Sequence, residues 1–264
     1  MSQSCSLVEV LNNRRWLRRA HPFAHVVARN VFVQSFYERL AAAFEEVMSR
    51  GLSDQRSSNR LSRSMPGYDA YGMTFPVGQP EPFGLFLSRP WHDLLASLFQ
   101  VQATGYVNCG LHHHPVGSEY GWVHNDLNPG WFVDYPSSDG VKLVRHDLCN
   151  YAFGDTVSNV TPLETIRAVA MLFYLDNPAW LPGDGGGTGL YCCKDDPVAK
   201  PFSVVPPINN SILVFECTPY SYHSFIRNWR QPRNSVIMWL HRPKVDVVAR
   251  WGEGKIVNWP KNRS

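Results

Sequence analysis

His124 and Asp126, in the run YGWVHND, are the residues whose types and spacing first suggest chemistry. On an extended chain successive side chains alternate, so two ligands separated by one residue point to the same face. A neutral imidazole and a hard carboxylate on one face are two corners of a metal site. A histidine from a distant strand would complete a 2-His-1-carboxylate triad, which leaves coordination positions open for substrate, cosubstrate and dioxygen. His223, in NNSILVFECTPYSYHSFIRN, is the best third ligand, because a buried strand runs there through a turn into another strand. An H-x-D alone is common, and a surface histidine near an aspartate is its plainer reading. Arg233, in HSFIRNWRQPRNSVIMWLH, strengthens the metal reading. A guanidinium in an apolar strand must meet an anion, and removing one partner of a buried pair costs about 3–5 kcal/mol. A planar dicarboxylate is the anion its fork fits best. The competing reading pairs Arg233 with an Asp or Glu of the protein itself.

The elements that must position these residues change character along the chain. Residues 24–33 read as a strand, and QSFYERLAAAFEEVMSR (34–50) has helical spacing and good helix formers. GLSDQRSSNRLSRSMPGYDAYG is polar and turn-rich, hence a surface loop. PWHDLLASLFQV (90–101) is a short helix opened by Pro90. From residue 103 onward TGYVNCGLHH, YGWVHN, RAVAMLFYL, GLYCC, FSVVP, SILVFEC, YHSFI and SVIMWLH alternate with turn residues, the pattern of an antiparallel sandwich or barrel. Residues 127–166 form a long polar-aromatic insertion with little regular pattern, and such segments are usually functional or mobile. The expected organisation is a single domain: an N-terminal helical and strand extension over 1–102 packed on a catalytic core over 103–264.

The 264 residues are 44% hydrophobic and 18% charged, enough for a sizeable core without disulfide staples. A net charge of +3 leaves no footprint of nucleic-acid or membrane binding. There is no apolar stretch of signal or membrane-helix length, and Cys5, Cys109, Cys149, Cys192, Cys193 and Cys217 contain no C-x-x-C pair. Those features point to reduced thiols, read as packing residues, and to a cytoplasmic protein; the oligomeric expectation, monomer or homodimer, has no residue pattern behind it. GDGGGTG (183–189) lacks a following Lys-Ser/Thr and reads as a turn needing positive φ, not a phosphate loop. Arg14, Arg15, Arg18 and Arg19 read as the solvated face of a helix.

Three segments in order resemble the prolyl-hydroxylase-like branch of the iron(II)/2-oxoglutarate-dependent oxygenases. They are HHHPVGSEYGWVHND, MLFYLDNPAWLPGDGGGTGLY and VVPPINNSILVFECTPYSYHSFIRNWRQPRNSVIMWLH, within residues 104–243. The resemblance implies a mainly β chain with flanking helices, folded as a double-stranded β-helix (jelly roll, cupin-like). It implies His124, Asp126 and His223 as Fe(II) ligands. It implies 2-oxoglutarate as cosubstrate, held by Arg233, by Ser235 on the same face, and by Tyr174. Relatives often carry a tyrosine before the proline upstream of H-x-D; this chain has His114 there, which either replaces the phenol or lines the substrate pocket. His112, His113 and His114 cannot all ligate one ion, because neighbours on a strand face opposite sides.

The implied activity couples O2-dependent decarboxylation of 2-oxoglutarate to oxidation of a C–H bond, giving an alcohol, an alkene or a ring. Retention of Asp126 argues against a halogenase, in which a small residue makes room for the halide. The insertion over 127–166 is the expected substrate lid, with Asn128, Trp131, Arg145 and His146 as candidate contacts, beside Asp134 and Tyr135. The expected substrate is a small polar molecule, such as an amino acid or a biosynthetic intermediate of natural products. The alternatives are a peptidyl or prolyl hydroxylase acting on a protein side chain, and a non-catalytic jelly-roll that binds a small molecule.

Overall fold

The computed structural model describes residues 6–63, 68–137, 140–157 and 159–258. In chain order its helices are α1 (Leu7–Val10), α2 (Gln34–Ser49), α3 (Arg89–Ser97) and α4 (Lys244–Trp251). Its strands are β1 (Leu17–Arg19), β2 (His25–Arg29), β3 (Ser62–Arg63), β4 (Tyr71–Thr74), β5 (Tyr106–His114), β6 (Pro129–Val133), β7 (Lys142–Leu143), β8 (Pro162–Tyr174), β9 (Thr188–Leu190), β10 (Ser203–Val205), β11 (Ser211–Glu216), β12 (His223–Phe225) and β13 (Arg233–Pro243).

A ten-stranded sheet runs β1-β2-β11-β8-β13-β5-β4-β3, with β6 continuing the line of β11 along the first half of β8 and β7 lying parallel to β5. A three-stranded sheet, β10-β9-β12, faces it. This is a double-stranded β-helix. β8 and β13 lie at its centre because both are buried on both faces, as near-continuous apolar runs require.

Alternation on these strands sorts the interior into two layers. Val107, Cys109 and Leu111 of β5, Val169, Met171 and Phe173 of β8, and Val236 and Met238 of β13 face outward onto the helices. There they meet Phe36, Leu40, Phe44 and Val47 of α2, spaced to form one helical stripe, and Trp91 and Leu95 of α3. Ser88 caps α3 by accepting the Trp91 N–H, with Pro90 in the first turn. The intervening residues Ala170, Leu172 and Tyr174 face inward against Leu190 and Val205 of the smaller sheet.

Several expectations need correction. YGWVHN forms no strand; only His124 pairs, through an isolated bridge to His223. That pairing is tertiary, made by β12, and no local apolar alternation signals it. Residues 127–166 are more regular than expected, since they carry β6, β7 and the start of β8. The polar loop after α2 contributes β3 and β4 to the sheet edge. Arg18 and Arg19 lie on the exposed edge strand β1 and not on a helix, because backbone pairing with β2 outweighs their helix propensity. Cys192 and Cys193 are exposed, whereas Cys109, Cys149 and Cys217 are buried; Cys5 lies outside the described residues. The 183–189 turn is as expected: Gly183, Gly185 and Gly186 all have positive φ, and a Cβ on Gly185 would lie 1.9 Å from the Arg227 carbonyl. Among the described residues no helix is long and apolar enough to cross a membrane.

Candidate metal and cosubstrate site

The two histidines are brought together by backbone pairing. His124 N–H donates to the His223 carbonyl (3.1 Å) and His223 N–H to the His124 carbonyl (2.9 Å), which sets their rings 4.4 Å apart. Each Nδ1 contacts the carbonyl two residues upstream: His124 to Trp122 (2.8 Å) and His223 to Ser221 (3.0 Å). A carbonyl only accepts, so each Nδ1 carries the proton and each Nε2 presents a lone pair. Asp126 is buried beside them, with Oδ2 3.5 Å from His223 Nε2, and the three ligand atoms lie within 4.8 Å of one another. Burial, followed by electrostatic interaction with the neighbouring His223, lowers the His124 imidazole to about 4, so it stays neutral and able to ligate near neutral pH.

Burial alone would raise the Asp126 carboxyl, but the Arg167 guanidinium outweighs it and, with His223, holds the group well below the usual carboxylate range. Arg167 Nη1 donates to Asp126 Oδ1 at 2.6 Å, and Trp239 Nε1 donates to Oδ2 at 2.8 Å. The guanidinium itself lies 3.8 Å over the Trp239 ring.

The far wall is built by the pairing of β5, β13 and β8. Arg233 lies opposite His114, and Ser235 opposite both His112 and Tyr174, all on the inward face. Arg233 is only 3% exposed, yet among the described residues no carboxylate pairs with it; its nearest partner is Thr188 Oγ1 at 3.4 Å. Among the described residues its Nε has no hydrogen-bond partner, nor do Ser235 Oγ or His112 Nδ1, and no contact of either His114 ring nitrogen has hydrogen-bond geometry. Buried polar atoms without partners call for a polar group that the described residues do not supply. His114 lies flat on Phe225, 3.7 Å away at 7°. His113 faces the other way and bonds the Asn234 amide at 2.7 Å. Tyr174 stands beneath Arg233, its hydroxyl 2.8 Å from Thr188 Oγ1. Burial, then Arg233, lowers His112 to about 3; burial, His112 and Arg233 together hold His114 well below the usual range. Both imidazoles are therefore neutral, each offering one N–H and one lone pair.

Tyr68 and Arg167 are the residues of this region that the sequence did not single out. Tyr68, from the loop expected at the surface, contacts the rings of His112, His114 and Trp122, while Asp69 pins the loop by accepting the Glu119 N–H. No spacing signal marks Tyr68. Arg167 was discoverable, because it is a charge at the head of the apolar run AVAMLFYL, the same reasoning that singles out Arg233.

The four candidate substrate contacts of the insertion have partners or positions of their own. Asn128 donates to the Val257 carbonyl (2.6 Å), and Arg145 is paired with Asp147 at 2.6 Å. Trp131 packs on Gly154, where a Cβ would come within 2.6 Å of its ring, and His146 is exposed. No hydrogen bond or ion pair among the described residues joins these four to the triad.

No protein-family model matches the sequence, and no curated protein matches it. Solved structures do. A prolyl-4-hydroxylase from Pseudomonas putida is similar over 83% of this chain and 92% of its own, with a TM-score of 0.53 at 16% identity. A Trichoplax adhaerens prolyl hydroxylase, solved with a peptide fragment of the hypoxia-inducible-factor oxygen degradation domain, covers 86% of each chain, with a TM-score of 0.51 at 18% identity. The chain shares the double-stranded β-helix of these hydroxylases.

Proposed function

We propose that the protein is an Fe(II)/2-oxoglutarate-dependent dioxygenase. The observation that carries this reading is Arg233, a buried guanidinium with no carboxylate partner among the described residues, in the same interior as a His–Asp–His cluster whose Nδ1 atoms are held by backbone carbonyls, leaving Nε2 to face Asp126. The donor set suits Fe(II): two imidazole nitrogens and one carboxylate oxygen hold the ion and leave positions open. His124, Asp126 and His223 would hold the metal. Arg233 and Ser235 would bind the distal carboxylate of 2-oxoglutarate, with His114 and the Tyr174–Thr188 pair lining its length. When bound, iron, 2-oxoglutarate and O2 supply the oxidation of an unactivated C–H bond, with succinate and carbon dioxide as coproducts. The chain's own residues orient both reactants and exclude water, with Phe225 and Tyr68 as apolar walls.

The substrate we favour is a small polar molecule, such as an amino acid or a biosynthetic intermediate, with residues 127–166 as a cover. Asn128 and Arg145 already have protein partners, which leaves Trp131 and His146 as the insertion's candidates for substrate contact. A second reading is hydroxylation of a prolyl side chain within a peptide. It is favoured by the bound peptide in one structure of this fold and by Trp122, 40% exposed against the His124 ring.

Anaerobic protein with Fe(II) and 2-oxoglutarate should develop a metal-to-ligand absorption band that His124→Ala lacks. Absence of the band in the wild type would sink the dioxygenase reading. Succinate release with free amino acids but not with proline-containing peptides supports the first substrate class, and the reverse pattern supports the second.

A further inference from the structure

We infer that Tyr151, from the insertion between Asp126 and β8, is a positioning residue for the metal ligand Asp126. It acts through Arg167, and the link leaves Oδ2 as the one carboxylate oxygen that faces the metal position. The inference rests on the metal-site reading above.

The link is a directional chain of hydrogen bonds. His241 Nδ1 lies 3.1 Å from the Tyr106 carbonyl, so Nδ1 carries the proton and Nε2 accepts. The Tyr151 hydroxyl, 2.9 Å from that Nε2, must donate to it. The same phenol oxygen then accepts from Arg167 Nε at 3.0 Å. Arg167 Nη1 ends the chain on Asp126 Oδ1 at 2.6 Å. Donors and acceptors match at every step, and reversing any one step leaves two donors or two acceptors face to face. The consequence lies at the carboxylate: Oδ1 is occupied by the guanidinium, while Oδ2 is the oxygen near His223 Nε2, at 3.5 Å. Oδ2 also accepts from Trp239 and keeps a second lone pair for a metal.

The surroundings are shaped for this contact. A Cβ on Gly130 would lie 2.6 Å from His241 Nε2 and 2.7 Å from the Tyr151 ring, so only glycine lets β6 pass the pair. Tyr151, His241 and Arg167 are all buried, and burial followed by Arg167 lowers His241 to about 3, which keeps it neutral and able to accept. A purely space-filling role for Tyr151, beside Tyr106, Phe132 and Val144, would need the ring but not the hydroxyl.

Tyr151→Phe separates these roles. Partners that orient metal ligands typically contribute about 10–100-fold in metal affinity. Titrating the apoprotein with Co(II), the expected result is an approximately tenfold weaker Kd for folded Tyr151→Phe, with a changed visible spectrum of the bound cobalt as the freed carboxylate alters its coordination. Tyr135→Phe, which removes another insertion hydroxyl, one that accepts the Leu143 N–H, should bind Co(II) like the wild type. A Tyr151→Phe affinity and spectrum equal to wild type would overturn the inference while leaving the metal site standing. Wild-type protein that binds no Co(II) would instead overturn the metal-site reading, and the inference with it. If Tyr151→Phe does not fold, His241→Met removes the acceptor that orients the phenol at little change in volume and should weaken Co(II) in the same direction; unchanged binding there also overturns the inference.

Discussion

The two ends of β13 each bury an arginine, and they differ in one respect. Arg242 is 4% exposed and is met by the protein: Glu216 accepts from it at 3.0 Å, and the Ala168 and Cys217 carbonyls at 3.0 Å each. Glu216 also takes a hydrogen bond from Arg250, which ties α4 to the sheet. Arg233, on the same strand and as deeply buried, meets two aromatic rings and one long hydrogen-bond partner, Thr188, but no carboxylate among the described residues. Burial of an unpaired charge is costly, so a guanidinium kept without an internal anion implies an external one. One end of the strand holds the fold together, and the other is arranged for a guest.

Substitutions can break this contrast. The largest expected effect is on stability, from Glu216→Ala, which strips Arg242 of its anion and should cost about 3–5 kcal/mol in denaturant unfolding. A loss below about 1 kcal/mol, the scale of an exposed pair, would mean that the two ends are not different in kind. The double variant Glu216→Ala/Arg242→Met should recover much of the loss, because the stranded charge is then gone.

Arg233→Met should do the opposite. It removes a charge without stranding a protein carboxylate, so unfolding stability should hold or rise. Affinity for 2-oxoglutarate should fall about 100-fold, the size of one or two charge-assisted hydrogen bonds. Calorimetric titration of the Mn(II)-loaded protein reads the affinity, and an unchanged value would remove Arg233 from the cosubstrate site.

The smallest effect concerns the reverse arrangement, an anion without a cation. Asp176 follows β8 with no ion-pair partner among the described residues; partial burial and nearby Glu45 raise its carboxyl to about 6. The folded state therefore holds the proton more tightly than the unfolded chain, and stability falls as pH rises from about 4 through about 6. Asp176→Asn should flatten that fall, stabilising the protein at pH 7 by less than about 1 kcal/mol, since the group is partly solvated. Asparagine also suits the positive φ of 50° at this position. Unfolding at pH 7 and pH 4 checks it: equal gains at both would assign the effect to the backbone and not to the charge.

Much of the site was legible because its signals are local. H-x-D puts two ligands close together whatever the fold, and a lone charge within an apolar strand is conspicuous at Arg233. Arg167 carries the same signal at the head of AVAMLFYL, but nothing in the sequence shows that its strand places it beside Asp126. Tyr68 and Tyr151 sit in polar segments without periodicity, so nothing nearby distinguishes them from surface tyrosines. The insertion shows this most clearly: its composition suggests a cover, and no local pattern in it shows that its folded form also adds β6 to the sheet and sends Tyr151 to Arg167.

By itself the sequence determined the α2 stripe, the central apolar strands, the positive-φ turn at 183–189 and the ligand types, because each follows from contacts within a few residues. Tertiary structure alone decided that His124 bridges His223, that His114 lies opposite Arg233, and that Glu216 goes to Arg242 and not to Arg233. Those outcomes depend on strand register and sheet closure between distant segments, and no local pattern encodes which of two buried arginines will find an acid.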